Sequence, residues 1–362
     1  MIGILTFHRA VNYGAVLQCY ALQQTLNDLG ISNKVIDYRC EYIERHYSPK
    51  PSVSIRHIRR YFAELLEANN KYKSRKKFDE FLNSHLKLSE PIKKSDLKIK
   101  TKEFETVIVG SDQVWNMLST NGDASYFLDF VQNPTKKLSY AASVGTNDWN
   151  LVDKNTVRDY LKEYDVISVR EPKAVDVIRE VYDGKIVKNV DPTVLVDCSK
   201  WDELASKSKL NYKSFIFLYV MQPSDDLYKL AEKLSEKYGL KIISISMTQR
   251  RCEVGNNVKG MSVYDFVWCI KNARFIVTNS FHGLIFSMKY KKEFFWNYQS
   301  GNNMSNVRFD MLVEQYGIDI RCYDQNKRVE DYHNLNYELV EATMKKQSLE
   351  SVEYLKSSVV GD

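Results

Sequence analysis

A histidine in a tight turn between an apolar strand and an apolar helix can set a proton carrier beside an anion site, and this 362-residue chain has one. Residues Ala273 to Ser287 read as a buried strand, Phe275 to Thr278, then a polar turn, then a helix. Unpaired N–H groups and the positive end of the helix dipole at such a turn attract phosphate or carboxylate. An imidazole there can hold the anion and also move a proton. Ser280, Phe281, His282 and the flexible Gly283 are therefore candidate contacts for an anionic small molecule, with His282 as general acid. A capping or core histidine is the alternative.

Three other stretches carry chemistry-bearing groups. The loop Phe7 to Gly14 after the first strand holds His8, Arg9, Asn12, Tyr13 and Gly14, where glycine lets backbone approach a ligand. It also reads as an ordinary turn with Asn12 as N-cap. In Val109 to Asn116, a strand ends at Gly110 and presents Ser111, Asp112, Gln113 and Asn116 beside Trp115. Hydroxyl, carboxylate and amide groups next to an indole suit a sugar, and Asp112 can act as base toward an acceptor hydroxyl. A polar turn with a packed tryptophan is the competing reading. In Ile167 to Pro172, Arg170 and Glu171 sit at a strand end, where arginine grips phosphate or carboxylate with two prongs. A structural Arg–Glu pair is the other possibility, and Arg308 reads as structural.

These groups need a scaffold. Strands at 2–6 and 34–38 flank a helix from about Val16 to Leu29, whose stripe of Ala15, Cys19, Leu22, Leu26 and Leu29 ends at Gly30. That is a βαβ unit, which requires a parallel sheet. Further strands are expected at Thr106–Val109, Leu138–Ser143 and Val166–Val169. A second αβ series follows: strand Phe215–Val220, helix Asp225–Tyr238, strand Lys241–Ser246, helix Val263–Asn272, the Phe275 strand, the His282 helix and strand Glu293–Trp296. A polar helix runs from about Tyr337 to Ser357. The expected fold is α/β, with two doubly wound, Rossmann-like domains whose ligand lies at the strands' carboxyl ends, in the cleft between them. Residues 1–168 form the acceptor-side domain and 169–344 the donor-binding domain. The last helix, about 345–362, packs back on the first.

Bulk properties narrow the class. The chain carries a net charge of +6 with 44% hydrophobic and 27% charged residues, the balance of a globular protein. The charge is uneven: between Arg45 and Lys102, 16 Lys/Arg face 6 Asp/Glu, in a segment that reads as an inserted helical region. Stretches Ile55–Phe62 and Lys71–Lys77 carry most of it. It is either a solvated face or a surface for anionic membrane lipid or a lipid-linked diphosphate. No nucleic-acid module accompanies it, so nucleic acid is not an expected partner. The six scattered cysteines form neither a disulfide frame nor a zinc site, and no other metal-ligand spacing occurs. No resident cofactor is expected: GxGxxG, Walker and GxSxG patterns are missing. The N-terminus reads as a first strand rather than a signal peptide, and no apolar run is long enough to span a bilayer. A cytoplasmic protein, peripheral at the inner membrane face, is the expected setting.

Taken in order, Thr6–Gln18, Val109–Asn116, Ser139–Ser143, Ser168–Glu171, Asp191–Thr193 and Thr278–Gly283 resemble the polysaccharide pyruvyl transferase family over most of the chain. The resemblance implies a two-domain fold like that of GT-B glycosyltransferases and phosphoenolpyruvate as donor co-substrate. The product it implies is a pyruvate ketal bridging two hydroxyls of a sugar, in an exopolysaccharide precursor that is lipid-linked. It also implies that His282 and Arg170 hold the donor. One position departs: many members carry Asp-Arg where this chain has Asn279 and Ser280, one cation fewer. A nucleotide-sugar-dependent GT-B glycosyltransferase and a non-catalytic glycan- or anion-binding protein are the alternatives.

Overall fold

The computed structural model describes residues 1–48, 58–145, 149, 153–246, 254–258, 260–300 and 306–360. Residues Ile55 to His57 of the basic stretch and Cys252 lie outside the described residues. The chain divides into two compact units, Met1–Pro192 with Ser351–Asp362, and Thr193–Glu350.

Unit 1 begins with β1 (Ile2–Leu5), whose four residues are all buried, and α1 (Tyr13–Asp28). Next come β2 (Asn33–Val35), the short α2 (Glu41–His46) and the long α3 (Ile58–His85) of the basic insertion. They are followed by α4 (Leu97–Lys100), β3 (Thr106–Val109), α5 (Met117–Thr120) and β4 (Lys136–Ser139). The unit continues through α6 (Lys154–Leu161), β5 (Val166–Val169), α7 (Pro172–Arg179) and β6 (Lys185–Lys188). The strand order is β2-β1-β3-β4, all parallel, with β5 and β6 pairing separately and tied to the chain after β4 by a bridge between Ala142 and Val169. Parallel strands need helical crossovers, which places every strand-to-helix loop at the carboxyl edge.

Several elements differ from expectation; the strand expected over 34–38 is the shorter β2. The strand expected over 138–143 is β4, Lys136–Ser139; beyond it Ala141 takes φ +46 and bends the chain out of the sheet. Helix α1 is buried on nearly every face rather than along one stripe, because α3 covers the side left open. Phe78, Phe81 and Leu82 of α3 are at most 3% exposed, and the two phenyl rings meet Tyr13 and Tyr20. The insertion therefore contributes to the core, while Lys73 and Lys76 stay exposed.

The short α8 (Pro192–Leu195) crosses the boundary. Unit 2 holds α9 (Cys198–Ala205), β7 (Phe215–Val220), α10 (Asp225–Tyr238), β8 (Lys241–Ser246) and β9 (Asn256–Asn257). It continues with α11 (Val263–Asn272), β10 (Phe275–Thr278), α12 (Phe281–Lys289), β11 (Glu293–Trp296) and α13 (Val307–Tyr316). The final α14 (Tyr337–Val360) begins in this unit and ends in the first. The parallel order is β11-β10-β7-β8-β9. Side-chain caps start the helices: Ser224 at α10 and Ser262 at α11, the latter in a reciprocal box with Asp265. The α/β class with parallel sheets is thus the one read from the sequence.

Candidate functional site

In unit 1 the loops after β1, β3, β4 and β5 meet at one sheet edge, and buried polar groups tie them together. Gln18 of α1 donates from Nε2 to Thr6 Oγ1 at 2.8 Å and accepts from the Ser111 N–H at 3.1 Å. The Ser111 hydroxyl lies 3.0 Å from the Ala141 carbonyl and 3.3 Å from Asp191 Oδ2. Arg170 donates from Nη1 to Asp191 Oδ2 at 2.8 Å and from Nε to Glu171 Oε1 at 2.9 Å. None of these three side chains is more than 3% exposed. Burial would lower the Arg170 pKa, but the Glu171, Asp191 and Asp112 carboxylates outweigh it and hold the guanidinium above its ordinary value. Arg170 is charged and already doubly engaged, so clamping a donor anion would mean exchanging carboxylates for it. The residue belongs to unit 1, whereas the sequence boundary at 168 places it in the second domain.

Asp112 is 9% exposed and adopts φ +73, a left-handed conformation that non-glycine residues rarely take. Its Oδ1 accepts from the Gln113 N–H at 2.9 Å, and its carbonyl accepts from Ser143 and Val114. Trp115 requires a correction. Expected beside a sugar, it is 0% exposed, donates its indole N–H to the Tyr126 carbonyl at 3.0 Å and stacks on Phe127. An apolar neighbourhood and a backbone acceptor make it a core residue. Ser111 is corrected likewise: expected exposed, it is 0% exposed and serves the loop network.

The first loop is also tied inward. Asn12 caps α1 by accepting from the Gly14 and Ala15 N–H groups at 2.9 and 3.3 Å. Tyr13 is buried against Phe78, and Gly14 lies inside α1 rather than in the loop. Arg9 grips Asp37 through Nε and Nη2 at 2.7 and 2.6 Å and reaches Asp79 of α3 at 2.9 Å. His8 adds a 3.1 Å bond to Asp37. Burial alone would raise the Asp37 pKa, but His8 and Arg9 hold it well below the usual carboxylate range. This cluster pins the insertion to the sheet.

In unit 2 the strand β10 ends at Thr278, whose hydroxyl donates to the Tyr219 carbonyl at 2.6 Å and accepts from the Ser280 N–H at 3.0 Å. Ser280 is the N-cap of α12, accepting from the Gly283 N–H at 3.2 Å. Asn279, 0% exposed, accepts from the Met221 N–H at 2.7 Å and donates to the Gln222 carbonyl at 2.8 Å. Both positions that depart from the family's Asp-Arg are therefore engaged in holding the turn. His282, 6% exposed, stands in the first turn of α12 with its ring edge-on to Phe281. The Arg308 guanidinium lies over that same Phe281 ring, 5.7 Å from its centre. Gly283 is helical rather than a hinge, and a Cβ there would come within 2.7 Å of Thr278 Oγ1. Its bareness serves packing.

Sequence reasoning gave no role to Gln18, Asp191 or Ser143. The signal for Gln18 was a polar residue among the apolar positions of α1. Among the described residues no group of His, Cys, Asp and Glu could hold a metal ion, the five cysteines are free thiols, and no helix is long and apolar enough to cross a membrane.

Comparison with solved structures finds chains of similar fold. A putative UDP-N-acetylglucosamine 2-epimerase from Listeria monocytogenes superposes with TM-score 0.50 at 8% identity, over 99% of this chain and 95% of that one. The S. aureus MnaA–UDP complex gives 0.49 at 11% identity, over 100% and 97%. The E. coli heptosyltransferase WaaC with ADP gives 0.39 at 13%, over 96% and 100%. At 8% identity the likeness to the Listeria protein is one of fold alone, of the GT-B-like α/β class. No curated protein matches the chain in sequence. The sequence profile described as polysaccharide pyruvyl transferase matches residues 12–298, a span that contains the Asp112 loop, Arg170 and the His282 turn. The chain belongs to the polysaccharide pyruvyl transferase family.

Proposed function

We propose that this protein moves the pyruvyl group of phosphoenolpyruvate onto two hydroxyls of a sugar in a polysaccharide precursor. The observation that carries the reading is His282, held in the first turn of α12 inside the span matched by the family. Phosphoenolpyruvate brings a phosphate and a carboxylate, which suit the positive end of a helix and nearby cations. The donor belongs to unit 2, where His282 binds its phosphate and protonates its methylene carbon. That makes C2 electrophilic. A first acceptor hydroxyl adds there as it gives up its proton. The C2–O bond to phosphate then breaks, and the second hydroxyl adds to C2 as it gives up its proton. The products are a cyclic ketal and inorganic phosphate. Positioning and electrostatics supply the rate without a resident cofactor.

The acceptor on this reading is carried by a lipid at an anionic membrane surface, which the exposed Lys73 and Lys76 of the basic insertion approach. Sedimentation with phosphatidylglycerol vesicles that weakens in high salt supports the contact; equal sedimentation with neutral vesicles refutes it.

The functional test is phosphate release from phosphoenolpyruvate against a panel of sugar acceptors, with the product mass showing a 1-carboxyethylidene group. His282→Ala retaining full activity would overturn the assignment. A second reading, a nucleotide-sugar transferase, is favoured by Asn279 and Ser280, which bring no cation to the turn. A larger thermal shift with uridine diphosphate than with phosphoenolpyruvate would select it.

A further inference from the structure

Three strand-to-helix loops of unit 1 each leave a buried polar atom with no hydrogen-bond partner among the described residues. These are Gln113 Nε2 after β3, Ser143 Oγ after β4 and Glu171 Oε2 after β5. Ser143 is 0% exposed and Glu171 2%. The three loops are bonded to one another, so the atoms share one corner of the unit. The Asp112 carbonyl accepts from Ser143 N–H at 3.0 Å, the Ser143 carbonyl from Trp115 N–H at 3.2 Å, and the Ala142 carbonyl from Arg170 N–H at 3.2 Å.

Glu171 is the telling member. It occupies the N-cap of α7, where Ser, Thr, Asp or Asn normally accept a helix N–H, yet its side chain makes no cap bond. One oxygen takes Arg170 Nε instead, and the other points to nothing among the described residues. Folded proteins leave few buried polar groups unsatisfied, and each one calls for an explanation. A donor amide, a hydroxyl and an acceptor oxygen are the kinds of group that bind sugar hydroxyls. Charge selects the same class. One guanidinium shares this neighbourhood with Glu171, Asp191 and Asp112, so a phosphate or carboxylate is repelled where a neutral polyol is not.

We propose that Gln113, Ser143 and Glu171 form a subsite for a neutral polyhydroxyl ligand, the acceptor sugar, with Glu171 Oε2 accepting a hydrogen bond from one ring hydroxyl. This rests on the acceptor half of the function proposed above. Saturation-transfer NMR on the whole chain tests it, with methyl glycosides of galactose, glucose, mannose and N-acetylglucosamine and with phosphoenolpyruvate as separate probes. Ser143→Ala removes a hydroxyl that bonds nothing among the described residues, so it should melt no lower than the parent. Glu171→Gln keeps an acceptor for Arg170 Nε. At least one glycoside should bind the parent, and its affinity should fall about tenfold in either variant, the loss of one hydrogen bond. Phosphoenolpyruvate binding should not change. Glycoside binding that is equal in parent and variants, or absent from the parent, overturns the subsite. Glycoside binding lost in the variants, with no phosphoenolpyruvate binding to the parent, upholds the subsite and sinks the donor assignment alone.

Discussion

Replacing Arg170 with methionine separates a structural guanidinium from one available to a ligand. In the parent it satisfies Glu171 Oε1 at 2.9 Å and Asp191 Oδ2 at 2.8 Å, with all three side chains at most 3% exposed. Methionine fills much of the volume but strands two buried carboxylates. Removing one partner of a buried ion pair costs about 3–5 kcal/mol, and with two acids stranded the expected loss is about 5 kcal/mol. In a unit of this size each 1 kcal/mol moves Tm by about 2–4 °C, so the transition should fall by about 10–20 °C. The loss should also depend on pH. A buried carboxylate without its cation has a folded pKa above its unfolded value of about 4, so it destabilises the fold once ionised. The deficit should be largest near pH 8 and shrink as pH falls toward about 5. Urea denaturation at the two pH values measures it, and hydrogen exchange in β5 and α7 locates it. A loss under about 1 kcal/mol, the size of an exposed pair, or one indifferent to pH, would refute the locked guanidinium.

Other substitutions probe the two units separately. Asp37 has a depressed pKa in the folded state, so its contribution is complete above pH of about 4 and is lost as acid drives protons onto it. Asp37→Asn should flatten the acid limb of the stability curve, and an unchanged limb would count against the His8–Arg9–Asp37 cluster. Gly110 takes φ +114, and a Cβ there would meet the Tyr140 carbonyl at 2.3 Å, so Gly110→Ala should cost at least about 3 kcal/mol in urea denaturation. Trp115→Phe leaves the Tyr126 carbonyl without its indole donor and should cost about 1–3 kcal/mol while glycoside binding persists; lost binding with stability intact would restore the indole as a sugar platform. Asn279→Asp keeps the bond from Met221 but sets a carboxylate against the Gln222 carbonyl, and should destabilise unit 2 by about 1–3 kcal/mol at neutral pH, less in acid. Stability unchanged at both pH values would show that the turn tolerates the family's usual acid.

The Thr106, Val166, Phe215, Lys241, Phe275 and Glu293 strands have the bounds their sequence pattern suggests, because parallel strands covered on both faces read as largely apolar runs. The cap at Asn12 was equally legible, since capping is local chemistry. The end of β4 was not. Residues 140–143 are as apolar as a strand, but Ala141 turns left-handed and interrupts the ladder. Trp115 shows the same limit: its residue type suits a sugar platform or a core, and only Phe127, Tyr164 and the Tyr126 carbonyl closing around it decide for the core.

By itself, then, the order of residues determined the α/β class, most elements and the family, because hydrophobic period, cap and motif are each read within a few positions. Which polar groups meet was decided by tertiary structure. Gln18 finds Ser111 across 93 residues, Arg9 finds Asp79 across 70, and Ser111 finds Asp191 across 80. No local pattern encodes such pairs; they form because parallel strands bring distant loops to one edge, where burial makes every donor and acceptor seek a partner.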